Sequence, residues 1–495
     1  MTTPIVIDYP APDAEVQMSG YYVRIKGDVL IGVPPKLSQL TTWVLLEQED
    51  WFEKEINFVR RLLKPGAAIV DIGANFGVYA LTMAKLVAPN GHVWAFEPAR
   101  EPQALLAQSM LHNGLTNLSL APIALAAREG RAILHLNFQS ELNSLVHTHG
   151  DSGVGAEEVP VSTLDHQQAA FGWPPIDFVK IDAEGAEQEI LAGGERFFVE
   201  HSPLVMFEAD HSHSSGDKHI LPAAFRKLGY EIYRLIGPDR FLVLVTFDER
   251  PRLDEINLFA CKPDRAAQLE REGFLTREPT TEIPAVADGM ALFYRQGFAS
   301  SFASVPPETD AYRAALDAYA LWRDPGQTLG RRYAALLAAL DHAKTAADAM
   351  PNPARLSTLA RIASDASDRA LALDSLTRLQ ARIAAGDDLP REAFFPASSR
   401  YESIDPAGGL RAWFLAATFE AFEVLRFLSG CFRPVAMQDL AMLDWLQSTP
   451  FASAAMERRR QLQRILAGVQ TGLMPSPILA NAAPDNLNPD LWMRR

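Results

Sequence analysis

The chain has 495 residues, 48% hydrophobic and 22% charged, with a formal net charge of −15. That length exceeds what one ordinary core supports, so two or more domains are expected. The acidic balance, with no dense block of Lys and Arg to track a phosphate backbone, argues against a nucleic-acid substrate. Two cysteines, Cys261 and Cys431, exclude a disulfide framework or a cysteine-based zinc site. Residues 1–13 carry Asp8 and prolines where a signal peptide needs a basic stretch and an apolar run. No stretch approaches the roughly 18 apolar residues of a membrane span, so a cytoplasmic location is expected.

In chain order, residues 21–25 and 29–33 are β-prone runs split by Gly27-Asp28, which predicts a hairpin, and 1–41 reads as an N-terminal β extension. Between 42 and 63 the residues Leu46, Trp51, Ile56, Val59 and Leu63 recur at helical spacing until Lys64-Pro65-Gly66, predicting one helix. Short apolar runs at 68–72, 92–96, 118–123, 178–181 and 204–208 then alternate with amphipathic segments, predicting an open, mostly parallel α/β sheet. Runs at 230–235 and 241–247, separated by Gly237-Pro238-Asp239, predict an antiparallel pair, with a further strand at 256–261. This α/β domain is placed at 42–265, followed by a proline-marked linker at 266–308 and an α-helical domain at 309–495. Within the last, Leu356, Leu359, Ala363, Ala366, Leu373, Leu376, Leu379 and Ile383 follow a helical stripe read as core; no fixed period emerges, so a generic bundle is expected.

The densest chemical signal lies at the end of the 68–72 strand, where Asp71, Gly73, Asn75 and Gly77 form a tight turn opening a helix. Glycines there let backbone approach a ligand without a Cβ in the way. A dinucleotide enzyme would prefer G-x-G-x-x-G, and Asp71 would sit badly beside a pyrophosphate. S-adenosylmethionine (SAM) has a zwitterionic amino acid end, so Asp71 suits its ammonium, and Asn75 with backbone amides suits its carboxylate. Glu97, followed by Pro98, ends the next strand, where a carboxylate can accept both ribose hydroxyls.

Residues from about 53 to 262 resemble the FkbM family of methyltransferases through VDIGANFGVYALTMA, WAFEPA, VPVSTLD and IDFVKIDAEGAEQEILAGG. The resemblance implies a class I, Rossmann-like fold and SAM-dependent methylation, usually of an oxygen, on saccharide or secondary-metabolite acceptors. It covers less than half the chain and leaves the helical part outside.

Open α/β sheets bind ligands at the carboxyl ends of their strands, where Lys180, Asp182, Glu184 and Glu187 gather. A hydroxyl acceptor must lose its proton, and Asp182 is the first choice as base or acceptor-positioning residue. Glu184 could cap the following helix instead, and Glu187 and Glu189 read as a solvated helix face. Lys180, inside a strand, must reach an edge or pair with a carboxylate such as Asp182 or Glu208. His211 is a second candidate base. Together with Asp182 and Glu208 it could hold a divalent cation, but His211, His213 and His219 lie in a polar loop and read first as surface histidines, so no metal ligand is assigned. Residues 141–145 and the Gly/Ser-rich 147–155 form either a lid on the acceptor pocket or a plain connector. N-methylation of an amine or peptide, and a SAM-binding scaffold recruiting a partner enzyme through the helical half, remain open beside O-methylation. The helices could equally dimerise into a homo-oligomer, form an acceptor-docking surface or recruit a glycosyltransferase.

Overall fold

The computed structural model describes residues 21–145, 155–208, 220–237, 241–245, 255–279, 287–302, 309–386, 389–432 and 436–493. A hairpin of β1 (Tyr21–Ile25) and β2 (Val29–Val33) comes first, turning through Gly27 and Asp28, both with positive φ. The single helix expected over 42–63 is two, α1 (Leu40–Gln48) and α2 (Glu55–Leu62). Glu49 ends α1 in the left-handed region at φ 53°, so Trp51, Phe52 and Glu53 lie on a connecting segment rather than a helical face.

The main sheet takes β3 (Ala68–Ile72), then α3 (Val78–Val87), β4 (His92–Phe96), α4 (Arg100–His112) and β5 (Leu118–Ala121). Next comes a three-stranded sheet that the periodicity did not disclose, of β6 (Ala124–Leu125), β7 (Gly130–Leu136) and β8 (Gly155–Ser162). The chain continues through α5 (Leu164–Phe171), β9 (Phe178–Ile181), α6 (Glu187–Ala192), α7 (Glu195–Glu200), β10 (Leu204–Glu208), α8 (Ile220–Lys227), β11 (Glu231–Ile236), β12 (Phe241–Leu244) and β13 (Asn257–Cys261). The stretch 266–308, read as a linker, contains most of α9 (Pro263–Arg271), β14 (Leu275–Thr276) and α10 (Gly289–Tyr294). Ala266 and Leu269 are buried, and β14 pairs with β12.

The strand order β14-β12-β11-β13-β10-β9-β3-β4-β5 runs parallel from β10 to β5, and β13 enters antiparallel between β10 and β11. A parallel sheet closed by an inserted antiparallel strand is the class I methyltransferase arrangement. Because β3 and β9 are neighbours in its middle, the loops after Ile72 and Ile181 meet at the carboxyl edge.

The helical part comprises α11 (Asp310–Trp322), α12 (Leu329–Ala349), α13 (Pro353–Asp365), α14 (Arg369–Ala384), α15 (Leu410–Phe427), α16 (Met437–Gln447) and α17 (Ala454–Leu466). The stripe from Leu356 to Ile383 belongs to two helices, broken at Ser367 with φ 55°; most of it is buried as expected of core. This part is fastened to α1 by a buried charge network. Glu47 accepts from Trp43 Nε1 at 2.7 Å, Gly430 N at 2.8 Å and Arg459 Nε at 2.7 Å, and Arg459 also meets Glu423 at 3.0 Å. The Asn486 amide pairs with the backbone N–H and C=O of Arg24 on β1, so the last turns close back on the first hairpin. Among the described residues no helix is long and apolar enough to cross a membrane.

Candidate active site

A cavity of about 530 Å³ opens at the carboxyl edge of the main sheet, within the range of small-molecule pockets. Gly73, Ala74, Asn75, Glu97 and Pro98 form one part of its wall. Gly73 has φ 79°, and a Cβ there would stand 1.8 Å from the carbonyl oxygen of Asp182, so this glycine is required where the two loops touch. Gly77, at φ 84°, lies outside the wall; a Cβ on it would meet Leu106 Cδ1 at 2.3 Å, so its smallness serves packing of α3 against α4.

Glu97 is held by two backbone donors, Asn75 N at 2.8 Å to Oε2 and Ala99 N at 2.8 Å to Oε1. Each carboxylate oxygen accepts one bond there, which leaves acceptor capacity for a ligand's hydroxyls. Burial pushes this carboxyl up to about 7, against the pull of those two amides.

Asp71 is placed differently from the sequence expectation. It is 0% exposed, absent from the cavity wall, and neither of its oxygens accepts a hydrogen bond among the described residues. Its neighbour is Lys180 across the β3–β9 pairing, with Nζ 4.0 Å from Oδ1. Burial raises Asp71 to about 6 despite that ammonium. Lys180 sits in the middle of the sheet rather than at an edge, and pairs with Asp182 Oδ2 at 2.7 Å while lying over the Tyr79 ring. Burial works against its charge, but Asp182 and Asp71 outweigh that and hold the ammonium above its ordinary pKa.

Asp182, Glu184 and Glu208 converge, each offering a carboxylate oxygen within 4.8 Å of the others. Burial, and then the charges of Glu208 and Asp182, push Glu184 far above the ordinary carboxylate range; burial and then Asp182 do the same to Glu208. Three oxygens at this spacing suit a shared proton or a divalent cation. Glu184 takes a left-handed φ of 50° and does not cap the next helix. No side chain caps that helix; Glu187, its first residue, turns Oε1 back to accept from Ala183 N and Gly185 N in the preceding turn, and it is buried, not on a solvated face, whereas Glu189 is exposed. His211, His213 and His219 lie outside the described residues, as does 146–154 of the expected loop. Residues 141–143 of that loop and Leu145 line the cavity together with Ser140 just before them, and Ser144 Oγ donates to the Glu184 carbonyl at 2.5 Å.

Sequence reasoning missed several lining groups. Glu53 accepts from Tyr79 OH at 2.7 Å and Asn257 Nδ2 at 3.3 Å, and burial raises it to about 7. Arg369, Arg426, Phe427, Leu428 and Phe432 reach the cavity from the helical part. Nothing local in the sequence marks these residues, because their position depends on how α14 and α15 dock beside α1.

Residues 71–232 match a family profile described as "Methyltransferase FkbM domain". A curated relative, the 2-O-methyltransferase NoeI of Sinorhizobium fredii, is 27% identical over 171 residues, covering 30% of this chain and 69% of the relative. Among solved structures, a methyltransferase FkbM from Methylobacillus flagellatus is similar at 16% identity and TM-score 0.27, over 41% of this chain and 50% of that one. The chain thus spans half the length of that structure. Fibrillarin from Aeropyrum pernix, with natively bound S-adenosyl-L-methionine, is similar at 14% identity and TM-score 0.26, over 52% of this chain and 87% of its own.

Proposed function

We propose that this chain, which carries an FkbM-type methyltransferase domain over residues 71–232, moves a methyl group from SAM to a hydroxyl of a saccharide or secondary metabolite. The observation that carries the reading is a single cavity with a backbone-held carboxylate, Glu97, in one wall and the convergent carboxylates Asp182, Glu184 and Glu208 in another.

Asn75 and the amides of the Gly73 turn suit the amino acid end of SAM, and the spare acceptor capacity of Glu97 suits the ribose. Asp71 contributes from behind, by fixing Lys180. Bound SAM supplies an electrophilic methyl on a sulfonium. The chain supplies orientation, which can lower the barrier by several kcal/mol, and an acceptor for the hydroxyl proton. Glu184 and Glu208, raised by burial, are stronger bases than ordinary carboxylates once ionised, whereas Asp182 is tied to Lys180 and serves better to orient the hydroxyl. His211 remains a further candidate base.

The three carboxylates also suit a divalent cation that binds the same hydroxyl. Activity that survives exhaustive chelation removes that variant. The acceptor proton test is Glu208→Gln beside Asp182→Asn: turnover of labelled SAM falls roughly 100-fold or more in each, while SAM affinity measured by calorimetry stays within about threefold. Equal loss of binding and turnover would remove these residues from the reaction.

A further inference from the structure

The cavity is not closed by the α/β part alone. Among the described residues its lining holds six carboxylates and three cations, Lys180, Arg369 and Arg426. Lys180 is already matched by Asp182 and Asp71. Both guanidinium groups come from the helical part, and neither meets a carboxylate among the described residues.

Their setting is specific. Arg369, the first residue of α14, donates Nε to the Leu425 carbonyl and Nη2 to the Arg426 carbonyl at 3.0 Å. A cation capping the carboxyl end of α15 accounts for those two donors. Nη1 has no partner among the described residues. Arg426 is exposed, with its guanidinium 4.8 Å from the Phe427 ring centre and 5.1 Å from that of Phe422, a stacking that orients the planar fork without neutralising it.

The backbone beside them is built rather than incidental. Leu428 adopts φ 55°, a conformation costly for a branched side chain and kept only where surroundings enforce it. Gln48 Nε2 donates to its carbonyl at 2.6 Å, and the Glu47 network clamps Ser429 and Gly430 immediately after it. Phe432 then stacks edge-on with Phe52 at 5.4 Å, joining the helical wall to the connector after α1. The result is an aromatic rim carrying two positive forks, lining the same cavity as the carboxylates of the reaction centre.

We infer that the helical part completes the acceptor site, and that Arg369 and Arg426 take an oxyanion of the acceptor, a phosphate or a carboxylate, while the hydroxyl to be methylated reaches Asp182. Guanidinium forks match such oxygens in geometry and charge. The convergent carboxylates Asp182, Glu184 and Glu208 would repel the same anion, so the charge pattern fixes which end of the acceptor lies at the reaction centre. This inference deepens the methyltransferase reading and rests on it for the identity of the reacting group.

The test uses the full chain with glucose 1-phosphate, glucuronate and uncharged methyl glucoside as probes, titrated with and without S-adenosylhomocysteine. Wild type should bind at least one anionic probe roughly tenfold more tightly than methyl glucoside, and the stronger of the two identifies phosphate or carboxylate. Arg426→Gln, on an exposed side chain, should remove most of that preference. Arg369→Lys, which keeps the helix cap charged, should reduce it less than Arg369→Gln. S-adenosylhomocysteine affinity should be the same in all variants. Equal binding of charged and neutral probes, or a preference that survives Arg369→Gln with Arg426→Gln, overturns the inference. Anion preference without any S-adenosylhomocysteine binding would leave the oxyanion site standing and sink the methyltransferase reading instead.

Discussion

Replacing Lys180 by methionine keeps most of the side-chain volume and removes the cation that, among the described residues, pairs with Asp182 and Asp71. Nζ lies 2.7 Å from Asp182 and 4.0 Å from Asp71, with the lysine side chain 5% exposed. At an effective dielectric of about 20, these separations correspond to gross attractions of about 6 and about 4 kcal/mol. Desolvation already offsets much of that, and breaking a buried pair by deleting one partner costs roughly 3–5 kcal/mol net. Asp71 is the more sensitive partner, since it is fully buried and its oxygens accept no hydrogen bond among the described residues. Lys180→Met should therefore lower unfolding free energy in urea by that amount, and Asp71→Asn in the same background should restore roughly half. Turnover should fall in both, because Asp182 has lost the group that holds it. A loss below about 1 kcal/mol, or no recovery in the double variant, would refute the ion-pair account.

Gly73→Ala should cost roughly 2–5 kcal/mol, adding left-handed strain to a 1.8 Å clash with the Asp182 carbonyl, and should weaken SAM binding; a variant of wild-type stability contradicts this. Glu97→Gln should weaken SAM binding roughly 10- to 100-fold in calorimetry with little change in fold, and unaltered affinity would remove Glu97 from the ribose site. Glu184, Glu208 and Glu97 are raised from 4.5 to about 9, about 8 and about 7 in the folded chain. As pH rises through the unfolded value, the unfolded chain ionises while the folded one keeps its protons, so stability falls between about pH 5 and about pH 9 and levels off above. The melting temperature of the ligand-free protein should drop across that window, and Glu184→Gln with Glu208→Gln should flatten the drop; a rise would contradict it. Glu47→Gln should destabilise by roughly 3–5 kcal/mol by leaving Arg459 short of a buried partner, and should also weaken acceptor binding through displacement of the Leu428 wall, whereas Glu402→Gln, in a separate cluster, should not affect the acceptor.

The strands at 68–72, 92–96, 178–181 and 204–208 coincide with β3, β4, β9 and β10, because buried parallel strands are short apolar runs bounded by turn residues. The Gly73 turn was legible because its positive φ and the close approach of the Asp182 carbonyl demand glycine. Other features depended on distant packing. The break at Glu49 was hidden because apolar spacing continues across it, and β7 shows little alternation because Leu134 is its only buried residue, so neither face carries a continuous buried row. Asp71 looked like a ligand group from its place at a strand end, but Lys180 on the neighbouring strand claims it. Glu53, Arg369 and Arg426 carry no local signature, as their role comes from three distant segments meeting around one cavity.

The most direct test supplies the full chain with methyl-labelled SAM and a host extract of glycans and metabolites, then identifies the labelled product by mass spectrometry and the labelled atom by NMR. The account predicts a methyl ether made by wild type and lost in Asp182→Asn, with SAM bound by both. Bound SAM with no labelled product, or a label on nitrogen, would contradict it.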